Sequence, residues 1–151
     1  MNKPLEIYVH IPFCVKKCRY CDFLSFPAND TLKKTYVDTL LKEIGSFSES
    51  KDYHVKTVFF GGGTPSILDG REICRIMEKI YAHFNVDTDV EMTIEVNPGT
   101  VTEEKLRYYH KTGINRLSFG LQSVQDVYKR QLLRLASWPK RVWKLWKLSK
   151  E

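Results

Sequence analysis

The sequence predicts an α/β domain built from parallel βα units. Two observations carry that prediction. Segments of period-two and period-3.6 hydrophobicity alternate along the chain in the order β-α-β-α-β-α-β. Every unusual motif also falls directly after, or at the close of, one of the strands. In parallel α/β barrels and open sheets that is where ligands bind. The crossovers between parallel strands are expected to be right-handed.

The elements follow in order. In residues 5–11, Leu5, Ile7, Val9 and Ile11 alternate with Glu6, Tyr8 and His10, a strand pattern. Asp30–Phe47 reads as a helix capped by Asn29 or Asp30, with Tyr36, Val37, Leu40, Leu41, Ile44 and Phe47 at helical spacing. Val55–Phe60 is a short, nearly continuous apolar and β-branched run, which predicts a strand buried on both faces. Asp69–Phe84 is a second helix whose inner stripe is Ile73, Ile76, Met77, Ile80 and Phe84. Val90–Val96 alternates again. Thr102 or Thr100 caps a third helix, ending before Gly113, a residue suited to the left-handed position past a helix end. Ile114–Leu121 is the fourth strand, and Ser46–Asp52 is a polar connection.

At 151 residues the chain is long enough for one domain with a sizeable core, and 42% hydrophobic and 28% charged residues are ordinary for a globular protein. No apolar run reaches membrane-spanning length, and the N-terminus has no signal-peptide h-region, so a cytoplasmic location is expected. The net charge of +6 is unevenly spread. Residues 1–125 hold 16 basic and 16 acidic side chains, whereas residues 126–151 hold 8 basic and 2 acidic ones and all three tryptophans. The charge therefore gives the main body no electrostatic case for nucleic acid. Residues Asp126–Gln131 read as the translation of a transposase mosaic end, and the change in composition begins there. The expected division is a core at 1–125, incomplete as a barrel, and a non-native tail at 126–151. Leu132–Leu148 mixes basic and apolar residues as a membrane-surface helix does, but Pro139 interrupts it, so membrane association is not expected.

Cys14, Cys18 and Cys21 lie within eight residues of one another, and Cys74 is remote. Such clustering favours metal or redox chemistry over a disulfide framework. Thiolates suit iron–sulfur clusters and zinc. Three local thiolates leave one iron of a cubane open for a ligand, while zinc needs a distant fourth ligand from His10, His54 or Cys74. Gly61-Gly62-Gly63, followed by Thr64 and the stiff Pro65, offers backbone N–H groups at close approach, or is simply a turn. Glu95 ends the third strand facing away from the core side. It is suited to accepting bonds from ribose hydroxyls, and equally to being a solvated charge. Gln122 can act as a bidentate amide. His10 shares a face with Tyr8 shortly before Cys14, and is either beside a cluster or a satisfied interior histidine. Cys74, on the flank of a helix stripe, reads as a small core residue.

The segments YVHIPFCVKKCRYCDF, FFGGGTPS, EVNPGTVT and GINRLSFGLQS together resemble the radical S-adenosylmethionine (SAM) proteins of the oxygen-independent coproporphyrinogen III oxidase family, over about residues 5–125. The resemblance implies a partial (β/α) barrel, truncated here after about four strands. It implies that Cys14, Cys18 and Cys21 bind three irons of a 4Fe–4S cluster and that SAM chelates the fourth. By the same resemblance Gly62 and Gly63, with Thr64 beside them, contact the methionine amino group, and Glu95 meets the ribose. Gln122 lies near SAM, Tyr20 packs near the adenine, and Tyr8 belongs to the cofactor-binding set. Reduced cluster chemistry in this family can cleave SAM to a 5′-deoxyadenosyl radical. The oxidase branch carries a further cysteine two residues after the last ligand. Phe23 stands there in this chain, as in the haem chaperone (HemW-like) branch, whose members bind haem and pass it to an acceptor protein. The expected partners are thus SAM, haem or a porphyrinogen, and a haem acceptor. The alternatives are an oxidase acting on a porphyrinogen and a non-functional fragment. Four strands alone are expected to leave a raw sheet edge and an uncovered face.

Overall fold

The computed structural model describes residues 3–19, 21–47 and 52–120. Its core is a four-stranded, wholly parallel sheet in the order β1-β2-β3-β4, formed by β1 (Lys3–Ile11), β2 (Tyr53–Gly62), β3 (Asn85–Val96) and β4 (Arg116–Phe119). Helices α1 (Asp30–Ser46), α2 (Gly70–His83) and α3 (Glu103–Lys111) form the crossovers, and a 3-10 turn, Pro65–Ile67, precedes α2. Because each crossover of a parallel sheet turns the same way, the helices are laid side by side along one face. α2 sits between α1 and α3 and packs on both.

That face is the core. From β1 it takes Val9 and Ile11, from β2 Val55, Val58 and Phe60, and from β3 Val90, Met92, Ile94 and Val96. Ile73, Ile76, Met77 and Ile80 of α2 are completely buried against them. Full burial of each such side chain is worth about 1.5–3 kcal/mol, which makes the α2 stripe the chief fastening of helix layer to sheet. The α1 stripe is thinner: Val37 and Ile44 are buried, Tyr36, Leu40 and Leu41 are partly so. Phe47 lies beyond the helix and is exposed, with its ring tilted against Phe84 at 6.0 Å.

The capping alternatives resolve by geometry. Asn29 caps α1 by accepting from Leu32 N–H at 2.8 Å, Asp69 caps α2 from Arg71 N–H at 2.8 Å, and Thr102 caps α3 from Lys105 N–H at 3.2 Å. Gly113 adopts φ +91°, the left-handed turn expected past α3. The fourth strand is shorter than the expected Ile114–Leu121. Ile114 is still tied to Tyr109 O, and Asn115 uses its side chain as well as its backbone to bridge the edge of β3, accepting from Met92 N–H and donating to Val90 O. Regular pairing starts only at Arg116, and Leu121 lies outside the described residues.

One expectation is corrected. β2 is longer than Val55–Phe60 and is not buried on both faces: Val55, Val58 and Phe60 are buried, while Thr57 and Phe59 are only partly covered. The helices cover one side, and the other is the concave side of the sheet. A bulge explains why the sequence masks this alternation. The register slips between Val55 and Thr57 against both neighbouring strands, so Lys56 turns out and pairs with Asp87, and Val55 and Val58 share a face three residues apart. Both β1 and β4 have one strand neighbour among the described residues, as expected for an open sheet. No helix among the described residues is long and apolar enough to cross a membrane. The connection at 48–51 and the tail at 126–151 lie outside the described residues.

Candidate functional site

The site is assembled at the carboxyl ends of β1, β2 and β3. After β1 the chain passes through Pro12 and opens into the cysteine loop. The loop is closed at its base by a parallel bridge between Phe13 and Phe26: Phe26 N–H donates to Pro12 O at 2.9 Å and Cys14 N–H donates to Phe26 O at 3.1 Å. The two rings meet edge to face at 5.6 Å, and Phe13, almost wholly buried, also meets Tyr36 edge to face. The base of the loop is therefore anchored in the core. Across its middle, the Lys17 ammonium donates to Phe23 O and Ser25 Oγ. Val15, Phe23 and Leu24 are left on the outside, each at least about two-thirds exposed.

The glycine turn is fitted against this loop residue by residue. A Cβ on Gly61 would stand 2.8 Å from the Tyr8 hydroxyl and from Phe59 Cε1. On Gly62, which has φ +114°, it would meet the His10 ring at 2.7 Å and Ile11 O at 3.0 Å. On Gly63 it would stand 2.6 Å from Phe13 O and 2.9 Å from Cys14 Sγ. Backbone bonds from Gly63 N–H to Ile11 O and from Thr64 N–H to Phe13 O lock the turn to the loop entrance, and Thr64 Oγ1 donates to Cys14 Sγ at 3.6 Å. The triple glycine is thus a close approach of two chain segments, with no room for a side chain on the approaching faces.

On the concave side, Tyr8 stacks on Phe59 with ring centroids 5.9 Å apart and remains 58% exposed. The His10 ring lies over Gly62, and its Nε2 is 3.2 Å from Leu24 O, so it links the turn to the far side of the cysteine loop. Glu95 closes β3 beside Gly62, whose N–H donates to its carboxylate. Burial raises the Glu95 carboxyl above the ordinary glutamate value, and the Gly62 bond offsets this only in part. Burial, followed by the Glu95 charge, also raises the Tyr8 hydroxyl.

The Glu95 shift has a testable consequence. A raised carboxyl means that the folded chain holds its proton to higher pH than the unfolded chain. The stability linked to it is full below the unfolded value and is lost as pH rises through the folded one. Glutamine has no such dependence. Glu95→Gln is therefore expected to gain stability relative to the parent as pH rises from about 4 towards neutrality. Urea unfolding of both chains across that range checks it, and a gap that stays flat or narrows would refute the assignment.

Sequence reasoning missed a second layer of residues. Ser66, fully buried in the 3-10 turn, accepts from Asn97 N–H at 3.0 Å and lies 2.6 Å from Thr100 Oγ1. Lys105, reaching back from α3, donates to Ser66 O at 2.7 Å and to Thr100 O at 2.9 Å. The motifs FFGGGTPS and EVNPGTVT contain Ser66 and Thr100, but the Lys105 acceptors are backbone carbonyls and leave no mark on the sequence.

Tyr20 and Gln122 lie outside the described residues. Cys14, Cys18 and Cys21 are free thiols of intermediate exposure on one loop. Among the described residues no three His, Cys, Asp or Glu side chains are gathered closely enough to hold a metal ion, so the three thiols share a loop without forming a closed ligand set. The donor chemistry of the loop nonetheless fits an iron–sulfur cluster: three soft ligands and a Thr64 hydroxyl aimed at one sulfur. The zinc reading fares worse. His54 bonds Asp87 at the start of β2, eight residues and about 25 Å of strand from Gly62. Cys74 is on α2 with its thiol towards Tyr108 O, half-buried rather than part of the core, and burial raises its pKa.

The radical SAM superfamily profile matches residues 8–150. The chain belongs to the radical SAM superfamily. Members of this superfamily generally use SAM and a 4Fe–4S cluster. Among curated relatives, the chain is 41% identical over 130 residues to the heme chaperone HemW of Buchnera aphidicola subsp. Schizaphis graminum, a match covering 84% of this chain and 35% of that protein. It is 38% identical over 134 residues to the heme chaperone HemW of Escherichia coli K12, covering 87% of this chain and 35% of that one. The fold also matches the solved structure of the Escherichia coli coproporphyrinogen III oxidase (HemN), described as a radical SAM enzyme. There the TM-score is 0.87 and the identity 31%, over 99% of this chain and 35% of that one. The radical SAM chain thus spans about a third of the length of the proteins it matches, and its sheet corresponds to one part of their fold.

Proposed function

We propose that this radical SAM chain supplies the cluster- and SAM-binding part of a haem chaperone, a protein that binds haem and transfers it to an acceptor. The observation that carries the proposal is the cysteine loop itself. Cys14, Cys18 and Cys21 sit on a loop anchored at Phe13–Phe26 and pressed against the glycine turn, and Phe23 occupies the position where the oxidase branch has a further cysteine. The run of similar proteins called heme chaperone HemW supports the same branch.

In this reading Cys14, Cys18 and Cys21 hold the cluster as three thiolates. Gly62, Gly63 and Thr64 receive the methionine part of SAM, with backbone N–H groups and the Thr64 hydroxyl as donors. Glu95 accepts from the ribose. Tyr8, stacked on Phe59, offers an aromatic edge on the concave face, and Tyr20 and Gln122 complete the set from outside the described residues. When bound, cluster and SAM supply one-electron chemistry. What the chain's own residues contribute is orientation: the Gly62–Glu95 bond holds the carboxylate at the turn, and the His10–Leu24 contact ties the turn to the far side of the loop.

The match to coproporphyrinogen III oxidase supports a second reading, oxidative decarboxylation of a porphyrinogen. Anaerobic reconstitution with iron and sulfide, followed by EPR with and without SAM, tests the site common to both. A cluster signal that SAM perturbs is expected, and absence of any cluster removes both readings. Saturable haem binding without coproporphyrinogen turnover is the result expected of a chaperone; turnover would select the oxidase instead.

A further inference from the structure

Two turns must cooperate if one ligand spans them: Gly63–Ile67 after β2, and Asn97–Thr100 after β3. They are held together by a closed circuit. Thr100 Oγ1 donates to Asn97 O at 3.0 Å, which leaves Ser66 Oγ as the donor in its 2.6 Å contact with Thr100 Oγ1. Ser66 Oγ in turn accepts from Asn97 N–H at 3.0 Å. Each hydroxyl proton therefore has one direction available, and the ring begins and ends on the backbone of Asn97. A second bond internal to the Asn97 turn, from Gly99 N–H to Asn97 Oδ1 at 2.9 Å, keeps its shape.

Lys105 closes the assembly from outside. Its ammonium takes one carbonyl from each turn, Ser66 O and Thr100 O. Charge-assisted bonds of this kind are roughly twice as strong as neutral ones. The Lys105 stem is half-buried, and burial depresses its ammonium, so the two carbonyls compensate a charge that water does not fully solvate. Ser66 is completely buried, which makes its circuit costly to leave open. Three residues upstream of Ser66 lies Gly63, and two upstream of Asn97 lies Glu95. A shift of one turn against the other therefore changes the spacing between the glycine turn and the carboxylate.

We propose that Lys105 is a positioning residue of the SAM site, clamping the two turns so that the methionine-binding and ribose-binding halves stand at a fixed separation. This deepens the reading given above and rests on it. It has a signature that a merely structural lysine lacks. A clamp matters for a ligand that spans both halves and little for one that occupies a single half.

The test uses the reconstituted 151-residue chain with Lys105→Met and Lys105→Arg, and Ser66→Ala as an independent opening of the circuit. Affinities for SAM and for methionine alone are measured by calorimetry, and amide exchange is followed at residues 61–67 and 97–101. Lys105→Met is expected to weaken SAM about tenfold while methionine changes less than about threefold, with Lys105→Arg recovering most of the loss. Ser66→Ala should give the same split. Protection in the two turns should fall together. Unchanged SAM affinity in Lys105→Met, or equal losses for SAM and methionine, would overturn the proposal. Should the parent chain bind no SAM, the SAM reading itself fails. The clamp is then judged by exchange alone: joint loss in both turns upholds it, and loss confined to one turn overturns it.

Discussion

Replacing any one of Cys14, Cys18 or Cys21 by alanine is expected to abolish stable cluster assembly, whereas Cys74→Ala leaves it intact. The reason is ligand arithmetic. A cubane held by three thiolates that loses one retains two, and a two-thiolate site has two exposed irons open to solvent and oxidant. The other cysteine cannot substitute. Cys74 is on α2, with its thiol directed at Tyr108 O. Iron and sulfide content, together with the charge-transfer absorption after anaerobic reconstitution, measures the effect. Each loop variant should retain about a tenth or less of the parent's iron, the scale expected when a metal–thiolate bond essential to assembly is lost. A loop variant that keeps its cluster, or loss of the cluster in Cys74→Ala, would remove these residues from the assignment. Gly63 enters the same argument, because its missing side chain is what lets Cys14 Sγ approach the turn.

Gly62→Ala should be far more damaging than Gly61→Ala or Gly99→Ala. Two penalties add. At φ +114° a residue with a Cβ is strained by about 1–3 kcal/mol. The new methyl would also stand 3.0 Å from Ile11 O, a backbone atom fixed in the β1–β2 ladder, and 2.7 Å from the His10 ring. The ring is itself held at Leu24 O and cannot swing aside without giving up that contact. Overpacking of this sort costs a further 1 kcal/mol or so, and together they should lower Tm by roughly 5–10 °C for a chain of this size. Gly61→Ala meets only the Tyr8 and Phe59 ring edges, which have the open concave side to move into, so it should cost less. Gly99→Ala, 3.3 Å from the Asn97 amide, should be nearly silent. Thermal unfolding of the three variants gives the order directly. An effect of Gly62→Ala no larger than that of Gly99→Ala would show that the turn is not held as described.

Much of this protein is legible in its residues taken in order. The α2 stripe from Ile73 to Phe84 is buried as its spacing predicts, because one helix face against one sheet leaves little choice about which side chains lose water. The parallel order follows from strands alternating with helices, since only a crossover of helix length can return the chain to the same end of the sheet. Strand β2 departs from its sequence pattern for a specific reason. A bulge at Lys56 places Val55 and Val58 on one face, so an apolar run that looks doubly buried hides an alternation broken by one residue. Composition narrows two of the caps to pairs, and hydrogen-bond geometry selects Asn29 over Asp30 and Thr102 over Thr100.

The candidate site divides in the same way. The residue types are legible in the chain alone: three thiols at 3- and 2-residue spacings, three consecutive glycines, and a carboxylate on the far face of a strand end. Side-chain type and local period are properties of neighbours in the chain, so they can be read there. Why these three positions hold glycine is settled in three dimensions, since, Phe59 apart, the atoms that exclude a Cβ belong to Tyr8, His10, Ile11, Phe13 and Cys14, some fifty residues earlier. The same holds for Lys105, which donates to the carbonyls of Ser66 and Thr100. Every residue carries a carbonyl, so a bond to one has no signature in the sequence; it exists only where the fold has brought that carbonyl within reach.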